Sequence, residues 1–151
     1  MTEIGFYHLT QTPLERALPQ ILEKALASGK RTVVRAGSDE RVAFLNAMLW
    51  TYDPASFLPH GTEREGEPDE HPIWLTASDD NANGAEILVL TDGVEAPDID
   101  GFERCFEMFD GRDPAAVQVA RDHWRLYQDK GFGLTYWQQS ETGGWEKKAD
   151  G

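Results

Sequence analysis

The sequence predicts an α/β fold: one domain with a mostly parallel sheet flanked by helices. Three observations carry this reading. Strand-like and helix-like segments alternate along the chain, as parallel strands with helical crossovers require. The stretch EILVLT, Glu86–Thr91, is continuously apolar rather than alternating, the pattern of a parallel strand covered on both faces. Two long stretches, one between Thr12 and Gly29 and one between Asp113 and Gly131, repeat apolar residues at helical spacing between capping signals.

In chain order, IGFYHL (Ile4–Leu9) is short, aromatic and bounded by polar residues, and predicts the first strand. Thr12 is a suitable N-cap, Pro13 suits the first helical position, and Glu15 completes a capping box. Leu14, Leu18, Ile21, Leu22 and Ala25 form the inner stripe of that helix, and Gly29 stops it. Pro19 lies inside it and is expected to kink it, because one backbone hydrogen bond is lost. RTVVRA (Arg31–Ala36) predicts the second strand. Ser38 caps a second helix, with Asp39 and Glu40 favourably placed in its first turn and Val42, Leu45 and Leu49 inward. That helix is expected to end between Trp50 and Asp53, ahead of Pro54, and an irregular stretch to follow as far as Glu70. Within it, residues 63–70 hold five acidic side chains and one basic.

PIWLTA (Pro72–Ala77) predicts a third strand, SDDNANG a turn, and EILVLT the fourth strand. RCFEMF (Arg104–Phe109) fits helix or strand and is read as a strand. Asp113 caps and Pro114 opens the last helix, and FGLTYW (Phe132–Trp137) closes the sheet. The arrangement is Rossmann-like, with three layers. One domain spans residues 1–138, and the polar segment 139–151 is expected to be a flexible tail.

Charge narrows the function. The chain of 151 residues carries 27 acidic and 14 basic side chains, a formal net charge of −13. Such a field repels phosphates, so neither direct nucleic-acid binding nor docking on an anionic membrane is expected. The start MTEIGFYHLT has no basic stretch followed by a long apolar run, no segment approaches membrane-span length, and the lone Cys105 offers no internal disulfide. A soluble cytoplasmic protein is expected.

Catalytic motifs are weak. GKRT (Gly29–Thr32) resembles the end of a phosphate loop, but Lys24 stands where the upstream glycine belongs, and the flanking elements are reversed. No dinucleotide fingerprint and no G-x-S-x-G elbow occur. His60 and His71 flank the acidic stretch without a zinc spacing, and Cys105 in its apolar run reads as an inert thiol. No metal, cofactor or active site is expected.

Two aromatic sites stand out instead. Advancing 100° per residue from Val117, Ala120, Trp124 and Tyr127 fall at about 300°, 340° and 280°, the buried side, while Arg121 and Arg125 fall at about 40° and 80°. Arg125 has possible helical partners in Asp122 and Asp129, so a surface ladder accounts for it. Arg121 has Arg125 and Val117 at i+4 and i−4, so no carboxylate faces it within the helix. The sharper alternative is a small basic pocket with an apolar wall, suited to an acidic peptide or a terminal carboxylate. The second site is LWTYDPASFLPHG, Leu49–Gly61. Its Trp50 and Phe57 either cover a satellite core or face a partner.

Taken together, FYHL near the start, SGKR before the second strand, LW with SFLPH after the second helix, EILVLT, and YQDKGFGL form an ordered set. In that combination the chain resembles the chi subunit family of bacterial DNA polymerase III. The resemblance implies a non-catalytic accessory subunit. Family members bind the acidic C-terminal tail of single-stranded DNA-binding protein, which ends in phenylalanine, and the psi subunit of the clamp loader. The tail-binding positions fall on Arg121, Trp124, Arg125 and Tyr136. The psi-facing positions fall on Trp50 and Phe57, with Pro59 and His60 beside them, and some members use that face for a helicase. Gln128 stands where the family can carry a basic residue, with Lys130 as a possible substitute. Residues 92–100 look shorter and more acidic than the family's usual helix there. A degenerate nucleotide-binding α/β enzyme is the alternative.

Overall fold

The structure is a computed structural model that describes residues 2–52, 58–142 and 144–150. The strands are β1 (Glu3–Leu9), β2 (Thr32–Arg35), β3 (His60–Thr62), β4 (Ile73–Thr76), β5 (Ile87–Leu90), β6 (Arg104–Asp110), β7 (Gly133–Gln139) and β8 (Trp145–Asp150). The helices are α1 (Leu14–Ala27), α2 (Asp39–Thr51) and α3 (Pro114–Asp129), with two short 3-10 turns at Pro68–Glu70 and Ile99–Gly101. All eight strands form one sheet in the order β3-β4-β2-β5-β6-β1-β7-β8, parallel except for the pairing of β8 on β7.

The alternation of strand side chains divides the core in two. Val34, Leu75, Val89 and Met108 face α1 and α2, where Leu18, Leu22, Leu45 and Leu49 cover them. Ile4, Phe6, Val33, Leu88, Cys105 and Phe109 face the other way, against Ala120 and Tyr127 of α3 and a loop carrying Ala96, Ile99 and Phe102. The unbroken apolar run of β5 follows directly, because Ile87 and Val89 serve one layer while Leu88 and Leu90 serve the other. The predicted three-layer α/β fold is therefore the observed one. Cys105 is fully buried, and burial pushes its thiol pKa well up, which keeps it inert.

Three local expectations differ. The capping box at α1 does not form. Pro13 occupies the cap with no side-chain bond, and α1 continues through Pro19 to Ala27. Thr12 is held instead by Gln139, whose Nε2 donates to the Thr12 hydroxyl at 2.7 Å. The Gln139 Oε1 accepts the backbone N–H groups of Thr10, Gln11 and Thr12 at 3.0, 2.9 and 3.1 Å. A side chain from the other end of the chain thus fastens the segment that leads into α1. The stretch read as a frayed tail carries that residue and then β8, where Trp145 packs edge-on against Tyr7 with ring centroids 5.0 Å apart. The irregular stretch before Glu70 contains β3, three residues with no apolar signal that pair with β4 at the sheet's edge. Residues 92–100 form no α-helix.

The second strand ends in a buried arginine. Arg35 is 2% exposed and grips Asp98 through two bonds of 2.6 and 2.8 Å. Its guanidinium also donates to the Asp79 carbonyl at 2.7 Å, which fastens two loops to the sheet. That bonding holds the Asp98 carboxyl below the usual carboxylate range.

Candidate functional site

The parallel sheet brings the carboxyl end of β1 between β6 and β7, and α3 crosses over it. Residues of β1 alternate, so Phe6 and His8 point to the α3 side while Tyr7 and Leu9 point to α1. β7 lies beside β1 in register, with Tyr136 opposite Phe6. The result is a hollow of about 190 Å³ lined by Phe6, His8, Phe109, Val117, Ala120, Arg121, Trp124, Arg125 and Tyr136. All four residues expected on the tail-binding side, Arg121, Trp124, Arg125 and Tyr136, meet there. Gln128 and Lys130 do not line it.

The floor is rigid and aromatic. Trp124 meets Phe6 edge-on with centroids at 5.3 Å, and meets Tyr136 edge-on at 6.4 Å. Trp124 is half-buried, so one part of the indole braces the core and the rest walls the hollow. Both arginines are exposed, and among the described residues neither forms a salt bridge. The ladder that would have explained Arg125 is not made: Asp122 accepts instead from Gln118 Nε2 at 3.0 Å. The hollow therefore presents an apolar floor with two guanidinium groups at its rim, on a molecule of net charge −13.

Sequence reasoning missed three members of this site. Phe6, His8 and Phe109 come from strands far away in the chain, and the alternation of β1 was the signal that could have found the first two. The His8 Nδ1 is hydrogen-bonded to the Tyr136 hydroxyl. Burial raises the Tyr136 pKa and lowers that of His8, and Arg121 lowers both.

Behind the hollow lies a buried ion pair that the helical wheel did not single out. His123 is 4% exposed, and its Nδ1 donates to Glu107 Oε2 at 2.8 Å. Glu107 is itself 3% exposed, and burial pushes its carboxyl pKa up. The Glu107 carboxylate pushes the His123 pKa up in turn. Glu95, from the loop after β5, approaches the other imidazole nitrogen at 3.6 Å. This cluster holds α3 on the sheet.

The second expected site is less complete. Trp50 is 54% exposed at the end of α2, and its ring lies 4.5 Å from that of His60. His60 is buried, with Nδ1–H donating to the Leu58 carbonyl at 2.6 Å, and Pro59 is half-buried. Phe57 lies outside the described residues. Phe44, on the same helix, is also exposed.

A larger hollow of about 500 Å³ lies at the carboxyl edge of the sheet, where β1 and β6 send their following helices to opposite faces. Glu15, Asp92, Glu107, Asp110 and Asp113 line it. Its two arginines are already paired, Arg41 with Asp92 at 3.3 Å and Arg112 with Asp110 at 3.2 Å. Among the described residues no three His, Cys, Asp or Glu side chains cluster as metal ligands would, and no helix is long and apolar enough to cross a membrane.

Comparison with known proteins agrees with the resemblance. The family model described as DNA polymerase III chi subunit, HolC, matches residues 1–135. A protein of Rickettsia prowazekii named probable DNA polymerase III subunit chi is 30% identical over 90 residues, which is 60% of this chain and 54% of that relative's length. The DNA polymerase III subunit chi of Pseudomonas aeruginosa is 28% identical over 139 residues, covering 89% of this chain and 94% of that relative. Tyr136 and all of β8 lie beyond the family match.

Proposed function

The chain belongs to the DNA polymerase III chi subunit family, and from that premise we propose that it is a non-catalytic accessory subunit whose α3 pocket binds the acidic C-terminal tail of single-stranded DNA-binding protein. One observation carries the reading: two arginines without salt-bridge partners among the described residues rim an apolar hollow on a strongly acidic protein. The tail supplies what that rim lacks. Its acidic residues and terminal carboxylate lie against Arg121 and Arg125 through charge-assisted hydrogen bonds. Its phenyl ring enters between Trp124, Tyr136 and Phe6. The hollow of about 190 Å³ is large enough, since apolar cavities of about 150 Å³ accept benzene.

The exposed Trp50, with Pro59 and His60 beside it, supports a second interface on another face. Its partner is a psi subunit or another clamp-loader component, and a helicase is a further candidate. The protein then couples the polymerase to coated single strands in the cytoplasm without touching nucleic acid itself.

Titration of a labelled acidic peptide ending in Pro-Phe tests the reading. Binding with a dissociation constant in the micromolar range, about −8 kcal/mol, is expected. It should weaken with salt and disappear in Arg121→Ala. No binding by the wild-type chain would contradict it.

One observation favours a second reading, a degenerate nucleotide-binding protein. The hollow of about 500 Å³ sits at the carboxyl edge where open α/β sheets commonly hold ligands. Its acidic lining and paired arginines disfavour a phosphate. Titration with ATP or GTP and magnesium separates the two: nucleotide binding without peptide binding would favour the second.

A further inference from the structure

We propose that His8 makes the α3 pocket proton-dependent: its imidazole takes up a proton when a carboxylate enters beside Arg121, so binding tightens as pH falls. The inference rests on the peptide-binding reading of this pocket.

The geometry points to His8 for three reasons. It lines the hollow from the end of β1, on the same wall as Tyr136. Its ring packs on Phe109 with centroids 4.9 Å apart, which fixes its plane. Its two nitrogens have separate neighbours. Nδ1 meets the Tyr136 hydroxyl, and the opposite nitrogen faces Gly111, where a Cβ on residue 111 would collide with the ring.

The charged and titratable groups around the ring come from every neighbouring element. Arg121 approaches from α3, Asp110 from the end of β6 and Tyr136 from β7. Asp110 is already engaged by Arg112 at 3.2 Å. Burial holds the His8 pKa below its ordinary value. The Gly111 backbone opposes this, Arg121 adds to it, and Asp110 opposes it. An unoccupied pocket therefore holds a neutral ring at neutral pH.

A carboxylate at the rim reverses the balance, because it offsets Arg121 and favours a second cation. It also changes what Tyr136 does. With its proton on Nε2, toward the Gly111 backbone, neutral His8 accepts the Tyr136 O–H at Nδ1. Once protonated, Nδ1–H donates to the phenolic oxygen, and the O–H is free to donate to the incoming carboxylate. One proton from solvent thus adds a charge and re-aims a donor.

The sign follows from linkage. Binding raises the proton affinity of His8, so the dissociation constant is lowest below the free-state pKa and rises as pH climbs through the bound-state value. A tenfold gain in proton affinity lowers the dissociation constant by up to about tenfold between pH 8.0 and a pH below the free-state value, so it is several-fold lower at pH 5.5 than at pH 8.0. Peptide carboxylates of ordinary pKa, about 4, stay ionised across that range.

The test is an NMR titration of the imidazole resonances in the full chain, with and without the labelled acidic peptide ending in Pro-Phe. The His8 midpoint should move to higher pH with peptide, corresponding to about tenfold tighter proton binding. Fluorescence anisotropy at the two pH values should give several-fold tighter binding at pH 5.5, and in His8→Gln that ratio should shrink to within about twofold. An unmoved His8 titration in a chain that binds peptide would overturn the proposal and leave the peptide reading standing. So would a pH dependence that survives in a folded His8→Gln. If that variant does not fold, the wild-type resonance decides. Absence of peptide binding at every pH would overturn both.

Discussion

Replacing His123 with leucine removes the cation that Glu107 holds at 2.8 Å and leaves a carboxyl that is 3% exposed in an apolar layer. An unpaired buried charge costs several kcal/mol, and the carboxyl escapes by taking a proton. At pH 7.5, protonating a carboxyl of ordinary pKa costs about 4.4 kcal/mol, and at pH 5.5 about 1.6 kcal/mol. The wild-type pair has its own pH term. Glu107 raises the His123 pKa, so that contribution is complete below pH 6.5 or so and is lost as pH rises through the folded value. Charging an ordinary imidazole at pH 7.5 takes about 1.4 kcal/mol. The difference predicts that His123→Leu loses about 3 kcal/mol at pH 7.5 and about 1.6 kcal/mol at pH 5.5. Urea denaturation followed by far-UV circular dichroism measures both. Comparing the two chains at each pH cancels the effect of net charge and the opposite pH slope of His8, whose pKa burial lowers. Glu107→Leu combined with His123→Leu should recover most of the loss, because apolar replacements of buried ion pairs are often neutral. A loss under about 1 kcal/mol at pH 7.5, or one that grows as pH falls, would refute the reasoning.

Asp98→Asn strips the buried Arg35 of its carboxylate and should cost about 2 kcal/mol at neutral pH. The Asp98 pKa is depressed, so the wild type should lose the same contribution as pH falls below about 3.9, and the two chains should converge there in thermal melts. Gly111→Ala drives a Cβ into the His8 ring and to 2.8 Å from the Leu9 carbonyl. It should cost about 1–3 kcal/mol of stability and weaken peptide binding, as urea midpoints and anisotropy will report. Trp50→Ala, at an exposed ring, should change stability by no more than about 1 kcal/mol and leave peptide binding intact. Capture of the second partner from the native complex should fail in that variant.

The layering of the fold was legible because it rests on local period. The unbroken apolar run of β5 and the inner stripes of α1 and α2 each encode which sides are covered. What escaped were features made by residues distant in the chain. Thr12 looked like a cap by its position, yet its hydroxyl is bonded to Gln139 instead, and no neighbourhood in the sequence announces that contact. β3 has no apolar pattern because it is a three-residue edge strand fixed by pairing with β4. The pocket divides along the same line. Arg121, Trp124 and Arg125 share one side of a helix, so the wheel finds them. Tyr136 came from the resemblance, and His8 and Phe109 from the crossover of α3 above β1 and β6. His123 was within reach, since it falls at about 240° on the wheel beside Tyr127. Its partner Glu107 was not, because an acidic residue in a strand reads as solvent-facing until burial is known.

The most direct measurement uses the intact partner. Calorimetric titration of single-stranded DNA-binding protein into this chain should give micromolar binding, with heat and affinity both lost when that protein lacks its acidic C-terminal tail. Arg121→Ala and Arg125→Ala in this chain should reproduce the loss while circular dichroism remains that of the wild type. Equal binding by the truncated protein, or undiminished binding by both arginine variants, would contradict the account.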